Sequence, residues 1–296
     1  MLVCAALVVL SMVFAAATSL GSSDIVRPAI EVSALPRTMA LDVAGSDAVY
    51  ISPAEQTAAL RRLRKSKQPI FCGGTKNYAA LTFDDGPSAT SPQLLKLLRD
   101  EGIPATWFDL GRNAESFQKD LLAQAAHGPL ANHTWDHKAL TTLSPQDIEA
   151  ELTNTQQLMK SQTGQNNMMM RPPYGARDDA TQRFVRKLGY AEILWSADSQ
   201  DALAKPWQTV AKNAVDGLGP GSILLFHDGP AATLTALKKK IIPAIHRSGL
   251  TMVTIPELLV LNPPTDQQLA AGPMGCTHAG RVNVSGTFLQ NPETRY

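Results

Sequence analysis

An α/β fold built on a parallel sheet is what this chain predicts, and two observations carry it. From Asn77 onward, short apolar runs alternate with helical stretches, a β-then-α order whose crossovers place strands parallel. The polar residues capable of chemistry fall at the C-terminal ends of those runs, the end at which a (β/α) barrel carries its site. Alternation alone fits a small barrel or an open doubly wound sheet, and the placement of the polar residues favours the barrel.

The elements follow in order. Pro53 marks the start of a helix over 53–67, whose basic run of Arg61, Arg62, Arg64, Lys65 and Lys67 reads as a solvated face. Strand-like runs cover 79–83, 105–110, 130–132, 168–171, 191–196, 222–226 and 251–255. Helical stretches cover 91–101, 115–127, 145–163, 178–188, 207–217 and 234–248. Leu94, Leu95, Leu97 and Leu98 give the first of these an apolar stripe, and Gly102 is its stop. Asp84 and Asp85 follow the first strand, His133 the third, Arg171 ends the fourth, Asp198 and Asp201 follow the fifth, and His227 follows the sixth.

The 296 residues, 44% of them hydrophobic, suffice for one large domain. A net charge of +1 supplies no general field toward nucleic acid or anionic membrane. Residues 1–17 are apolar except for Ser11, and the small residues Ala15 to Ser19 follow the pattern of a cleavage region. Residues 1–19 therefore read as a secretory signal peptide or an N-terminal anchor. Contact with a membrane is expected only if that segment stays attached. Cys4 leaves with it, and the remaining Cys72 and Cys276 suggest a disulfide in an exported protein. The expected division is an extension over 20–70, a catalytic domain over 71–262 and a second extension over 263–296.

Adjacent carboxylates at a strand end repel each other and resist burial unless a cation or an arginine neutralises them. Arg171 is one such partner for Asp84 and Asp85. His133 and His137, four apart, would share one helical face. With a carboxylate they form a two-histidine, one-carboxylate metal set that leaves a position open. The intervening Thr134-Trp135-Asp136 is not the His-Glu-x-x-His pattern, and two unrelated surface histidines are the plainer reading of that spacing alone. Taken with the acid pair, the set points to metal-assisted hydrolysis. A glycoside hydrolase would need its acids about 5 Å or more apart across the scissile bond, and would leave the histidines without a role. Asp109 sits inside the apolar run Trp107-Phe108-Asp109-Leu110, where a buried carboxylate needs a partner that the sequence does not reveal.

Five motifs then align in order: Thr82-Phe83-Asp84-Asp85-Gly86-Pro87, Asn132-His133-Thr134-Trp135-Asp136-His137, Arg171-Pro172-Pro173-Tyr174-Gly175, Trp195-Ser196-Ala197-Asp198-Ser199-Gln200-Asp201, and Leu224-Leu225-Phe226-His227-Asp228. Through them the chain resembles the polysaccharide deacetylases with the NodB homology domain, carbohydrate esterase family 4, from roughly Cys72 to Leu261. The resemblance implies a distorted (β/α)7 barrel and removal of N-acetyl groups from N-acetylglucosamine-containing polysaccharide of the peptidoglycan or chitin type. It also leaves room for O-deacetylation of acetyl xylan on the same site, or for an inactive carbohydrate-binding homologue. It implies Asp84 as general base, with Arg171 orienting it and holding it ionised. Asp85, His133 and His137 would hold a divalent metal, zinc first and cobalt second. The Tyr174 backbone N–H would meet the oxyanion, and Leu225 would line the acetyl pocket. His227 would be the general acid, supported by Asp201. A monomer, secreted or associated with the cell wall, completes the expectation. Two departures stand out: Ala202 follows Asp201 where the family has Trp, and His127-Gly128-Pro129 stands where Gly-His-Glu is common.

Overall fold

Strand β1 (Tyr78–Gly86) is buried along most of its length, as a central parallel strand covered on both faces must be. The structure, a computed structural model, describes residues 51–166 and 168–276; the apolar segment 1–19 and the end of the C-terminal extension lie outside the described residues. Parallel to β1 run β2 (Ala105–Asp109) on one side and β7 (Ile223–His227) on the other. Beyond β2 come β3 (Leu130–Asn132), β4 (Met169–Met170) and β5 (Ala191–Glu192), and beyond β7 comes β6 (Ala197–Asp198). The resulting order is β5-β4-β3-β2-β1-β7-β6, with β8 (Thr251–Met252) pairing the start of β1. This is a curled parallel sheet of seven strands, the distorted (β/α)7 barrel that the resemblance implied.

The outermost strands β5 and β6 are consecutive in the chain, joined only by residues 193–196. The run 191–196 is therefore not one strand: it leaves one edge of the sheet and joins the other. No period-2 pattern announces that break, because both halves are buried.

Side-chain alternation sorts the interior from the helical shell. Leu81 and Phe83 of β1 join Trp107, Leu130, Leu224 and Phe226 in a layer under the helices. The ring of Phe83 stacks on Trp107 at 5.1 Å and on Phe226 at 5.5 Å between centroids. Ala80 lies on the other face with Phe108, Ala131 and Leu225. Helix α1 (Pro53–Lys65) is fixed at its start by a capping box between Ser52 and Glu55, and its Leu60 and Leu63 join that same inner group.

The shell contains α2 (Ser91–Asp100), α3 (Gly111–Ser116), α4 (Gln118–His127), α5 (Pro145–Thr163), α6 (Asp179–Lys187), α7 (Trp207–Gly217), α8 (Ala231–Ala236) and α9 (Ile242–Ser248). Helix α2 buries Leu94, Leu95 and Leu98 as its stripe predicts. The helix expected over 115–127 is two, broken at Phe117 (φ −118°, ψ 48°). That expected over 234–248 begins at Ala231 and carries a wide turn over Leu237–Ile241 ahead of Pro243, where proline supplies no N–H for a regular turn. The strand expected over 251–255 ends at Met252, because Thr254 and Glu257 form a capping box that starts α10 (Ile255–Leu261). Beyond α11 (Asp266–Ala270), Cys276 is bonded to Cys72, with Cα atoms 5.9 Å apart. Among the described residues no helix is long and apolar enough to cross a membrane.

Candidate active site

The end of β1 aims two neighbouring carboxylates at one place. In a regular strand Asp84 and Asp85 would point to opposite faces. A register shift against β2 between Asp84 and Gly86 breaks that alternation, and Asp85 takes a left-handed backbone with φ 68°. Such a bulge re-aims a side chain. As a result Asp84 Oδ2 lies 3.6 Å, and Asp85 Oδ1 3.5 Å, from His133 Nε2.

Asp84 and Arg171 are both buried. From Nη1, Arg171 donates to Asp84 Oδ1 at 2.6 Å and to the Thr82 hydroxyl at 3.0 Å. Nε and Nη2 donate to the carbonyls of Ile193 and Leu194, each at 3.0 Å. The guanidinium lies 4.1 Å from the centroid of the Phe108 ring. A buried ion pair survives when its remaining donors are satisfied in this way. Burial pushes the Asp84 carboxyl above the ordinary aspartate range, and the charges of Arg171 and His227 oppose that push without cancelling it. Arg171 thus fixes the carboxylate in place while leaving it a stronger base than a surface aspartate.

Asp85, His133 and His137 each offer a donor atom, all within 4.8 Å of one another. Asp85 Oδ1 is 3.4 Å from His137 Nε2, and it is buried without a hydrogen-bond partner. His133 Nδ1 sits 2.8 Å from the Arg171 carbonyl. A carbonyl only accepts, so Nδ1 carries the proton and Nε2 keeps its lone pair toward Asp85. Burial carries the His133 pKa down to about 3 and lowers that of His137 as well. Two neutral imidazoles and an unpartnered carboxylate oxygen facing one another are a donor set that fits a divalent cation.

The two histidines do not share a helical face. Residues 133–137 form a loop in which Thr134 and His137 have φ of 71° and 62°. The cause is side-chain competition for the backbone. Glu151 of α5, itself buried, accepts from the N–H groups of Trp135 and Asp136 at 2.8 Å each. Asn132 Oδ1 accepts from Thr134 N–H at 2.8 Å, and the Thr134 hydroxyl accepts from His137 N–H at 3.1 Å. These bonds replace the helical ladder and turn both imidazoles toward Asp85.

Tyr174 has φ 61° between Pro173 and Gly175. Its hydroxyl lies 3.1 Å from His137 Nδ1, and its ring meets the imidazole edge-on at 4.5 Å between centroids. The phenol is thus a contact of the triad that the motif did not disclose.

Opposite Asp84 in the β1–β7 register stands His227. Asp201 Oδ1 accepts from its Nδ1 at 2.7 Å, and Oδ2 accepts from its backbone N–H at 2.8 Å and from the Thr233 hydroxyl. Burial alone would lower the imidazole pKa; the Asp201 charge and hydrogen bond, helped by Asp85 and Asp84, carry it up to about 10. In return His227 holds the buried Asp201 carboxyl below the ordinary range against burial. With Ala202 after it, Asp201 still bonds His227 through both carboxyl oxygens. Leu225 is buried two residues before His227, its Cα in register with Thr82 and Asp198.

Asp109 lies behind this arrangement, beside Gly86, with Gln124 and Asp228. Both of its carboxyl oxygens are buried without a hydrogen-bond partner. Burial, then the neighbouring Asp228 and Asp84 charges, push its carboxyl well above the ordinary range. Sequence reasoning missed Glu151, Asp228 and the Tyr174 phenol as contributors. Asp228 at least follows His227 directly; Glu151 carries no local signal.

A half-barrel with a two-histidine, one-aspartate set and a hydrogen-bonded Asp–His pair at its strand ends is a hydrolase-type site of the polysaccharide deacetylase kind. Residues 73–193 match the family model described as polysaccharide deacetylase. A peptidoglycan-N-acetylglucosamine deacetylase of Bacillus cereus is 30% identical over 188 residues, 62% of this chain and 68% of the relative. A bifunctional xylanase/xylan deacetylase of Cellvibrio japonicus is 31% identical over 180 residues, 60% of this chain, which spans only 27% of that longer protein. A crystal structure of a peptidoglycan N-acetylglucosamine deacetylase superposes with a TM-score of 0.61 at 30% identity, over 64% of this chain and 92% of the other. The chain belongs to the polysaccharide deacetylase family.

Proposed function

We propose that this protein is a metal-dependent deacetylase that removes N-acetyl groups from N-acetylglucosamine-containing polysaccharide of the peptidoglycan or chitin type, at the cell surface or outside the cell. The observation that carries the reading is the pair of part-buried His227 and buried Asp201, with His227 facing Asp84 across the β1–β7 register. Amide hydrolysis expels an amine, which leaves only when protonated, so a site for amides needs an acid that stays charged near neutral pH.

Asp84 is the general base that takes a proton from the attacking water, its carboxylate oriented by the 2.6 Å bond from Arg171. Asp85, His133 and His137 would hold the divalent ion, zinc first and cobalt second, which when bound supplies Lewis-acid polarisation of the carbonyl. The Tyr174 backbone N–H receives the developing oxyanion, and Leu225 lines the pocket for the acetyl methyl. With Nδ1 bonded to Asp201, His227 presents its Nε2 proton to the leaving amine. The positive φ of Tyr174 is a strained conformation of the kind kept at functional sites.

O-deacetylation of xylan is the second reading, favoured by the Cellvibrio relative. An ester needs less help from an acid, so the pKa of His227 at about 10 favours the amide. The deciding experiment is acetate release from peptidoglycan, chitooligosaccharide and acetyl xylan, with and without chelator. Release from the N-acetylated polymers that stops on chelation and in Asp84→Asn is expected. Unchanged release in either case refutes the reading, and glycan binding without any release supports an inactive homologue.

A further inference from the structure

We infer that Asp228 is a positioning residue that locks the turn carrying Asp84 and Asp85 onto the strand end carrying His227. Its catalytic consequence rests on the deacetylase reading above; its structural part rests on hydrogen bonds alone.

Asp228 is buried, and its backbone N–H donates to the Asp84 carbonyl at 2.8 Å. Its Oδ1 accepts from the hydroxyls of Ser88 at 2.9 Å and Thr90 at 3.3 Å. Its Oδ2 accepts from the Ser91 hydroxyl and from the Gln124 amide at 3.0 Å. Four donors on one carboxylate satisfy its lone pairs as an anion.

Three of those donors sit on the segment that leaves β1 after Gly86 and enters α2. Thr90, the residue before that helix, makes no side-chain capping bond. The Asp228 carboxylate reaches this helix start through the hydroxyls of Thr90 and Ser91, where negative charge is favoured. The grip extends into the backbone, since Ser88 N–H donates to the Ser91 hydroxyl at 2.7 Å and Thr90 N–H to the Ser88 hydroxyl at 3.1 Å.

The location explains the need. The Cα register of β1 with β7 ends at the pair Asp84 and His227, and the bulge follows at once. Past that point the ladder no longer fixes the two strand ends relative to each other. Asp228 supplies the next cross-strand bond from its main chain, and its side chain adds three bonds to the segment leaving β1 and one to Gln124 of α4. Base and acid must stand on either side of one reacting carbon, and a displacement of about 1 Å can cost about 10²-fold in rate.

The test is Asp228→Asn, which keeps the shape, removes one acceptor and sets an amide against the Gln124 amide. Its kcat on an N-acetylchitooligosaccharide is expected to fall about 10- to 100-fold, with KM held within about twofold. Metal content stays at the wild-type level. Turnover of an acetyl ester falls less than that of the amide, because the ester leans less on the acid. Amide hydrogen exchange across 84–91 accelerates. Wild-type kcat, or an equal loss on ester and amide with unchanged exchange, overturns the inference. If Asp228→Asn does not fold, Ser88→Ala and Ser91→Ala carry the test. Each removes one donor and should cost about threefold in kcat in the same amide-over-ester sense. Unchanged selectivity and exchange in both overturn the inference. A wild-type protein that releases no acetate from any polymer sinks the deacetylase reading alone, and the exchange measurement then decides the lock.

Discussion

Replacing Asp201 by Asn should move the alkaline limb of the pH–rate profile more than any other single change. The carboxylate bonds His227 Nδ1 at 2.7 Å and holds the imidazole pKa at about 10, against an ordinary value of 6.5 that burial would lower further. Without it the pKa returns to 6.5 or below. At pH 8 the protonated fraction then drops about 30-fold, and at pH 7 about fourfold, both lower bounds because burial adds to the fall. The assay is kcat/KM for acetate release from an N-acetylchitooligosaccharide between pH 5 and pH 10. The expected result is an alkaline limb displaced by more than three pH units, with activity partly restored at the acid end. An unmoved limb would refute the assignment of His227 as the acid. The stability of the pair has the matching signs. The raised His227 pKa contributes stability present below 6.5 and lost as pH climbs through about 10. The lowered Asp201 pKa contributes stability present above 3.8 and lost as pH falls through its folded value.

Three further outcomes follow from the site and its frame. Asp84→Asn should lower kcat by about 10²- to 10⁴-fold while leaving the metal content unchanged, measured by acetate release and elemental analysis. Gly86→Ala would place a Cβ 2.5 Å from Asp109 Oδ1, 2.9 Å from Gln124 Nε2 and 3.0 Å from Asp228 Oδ2; it should lower both Tm and kcat, and unchanged values of the two would refute this packing. Reduction of Cys72–Cys276, which spans a separation of 204 residues, removes a constraint worth about 5 kcal/mol in the chain-entropy account, so Tm should fall on adding reductant and in Cys72→Ser.

The strand–helix alternation was legible because buried parallel strands are apolar throughout, and the candidate site was legible because its members end those strands. Asp84, Arg171 and His227 meet as their positions along the chain suggested. The His133–His137 loop was not legible: its shape depends on Glu151, a later helix residue whose carboxylate takes two N–H groups of that loop. The split of 191–196 and the break at Phe117 likewise arise from long-range packing that leaves no mark on local periodicity. Asp109 read as an unexplained polar residue in a strand, and its neighbours Gly86, Gln124 and Asp228 come from three separate segments.

Residues 193–196, which join the first and last strands of the sheet, give the Asp84–Arg171 pair a second meaning. Two of the carbonyls in that connection, Ile193 and Leu194, are held by the same guanidinium that grips Asp84. The partner of the proposed base is thus also a clasp between the two sheet edges. A change at Arg171 releases a fastening between two sheet edges, and loosened edges recruit other chains. Variants at this position should therefore be lost to aggregation during expression before their turnover can be measured, and the demands of the barrel and of the Asp84 pair fall on one side chain.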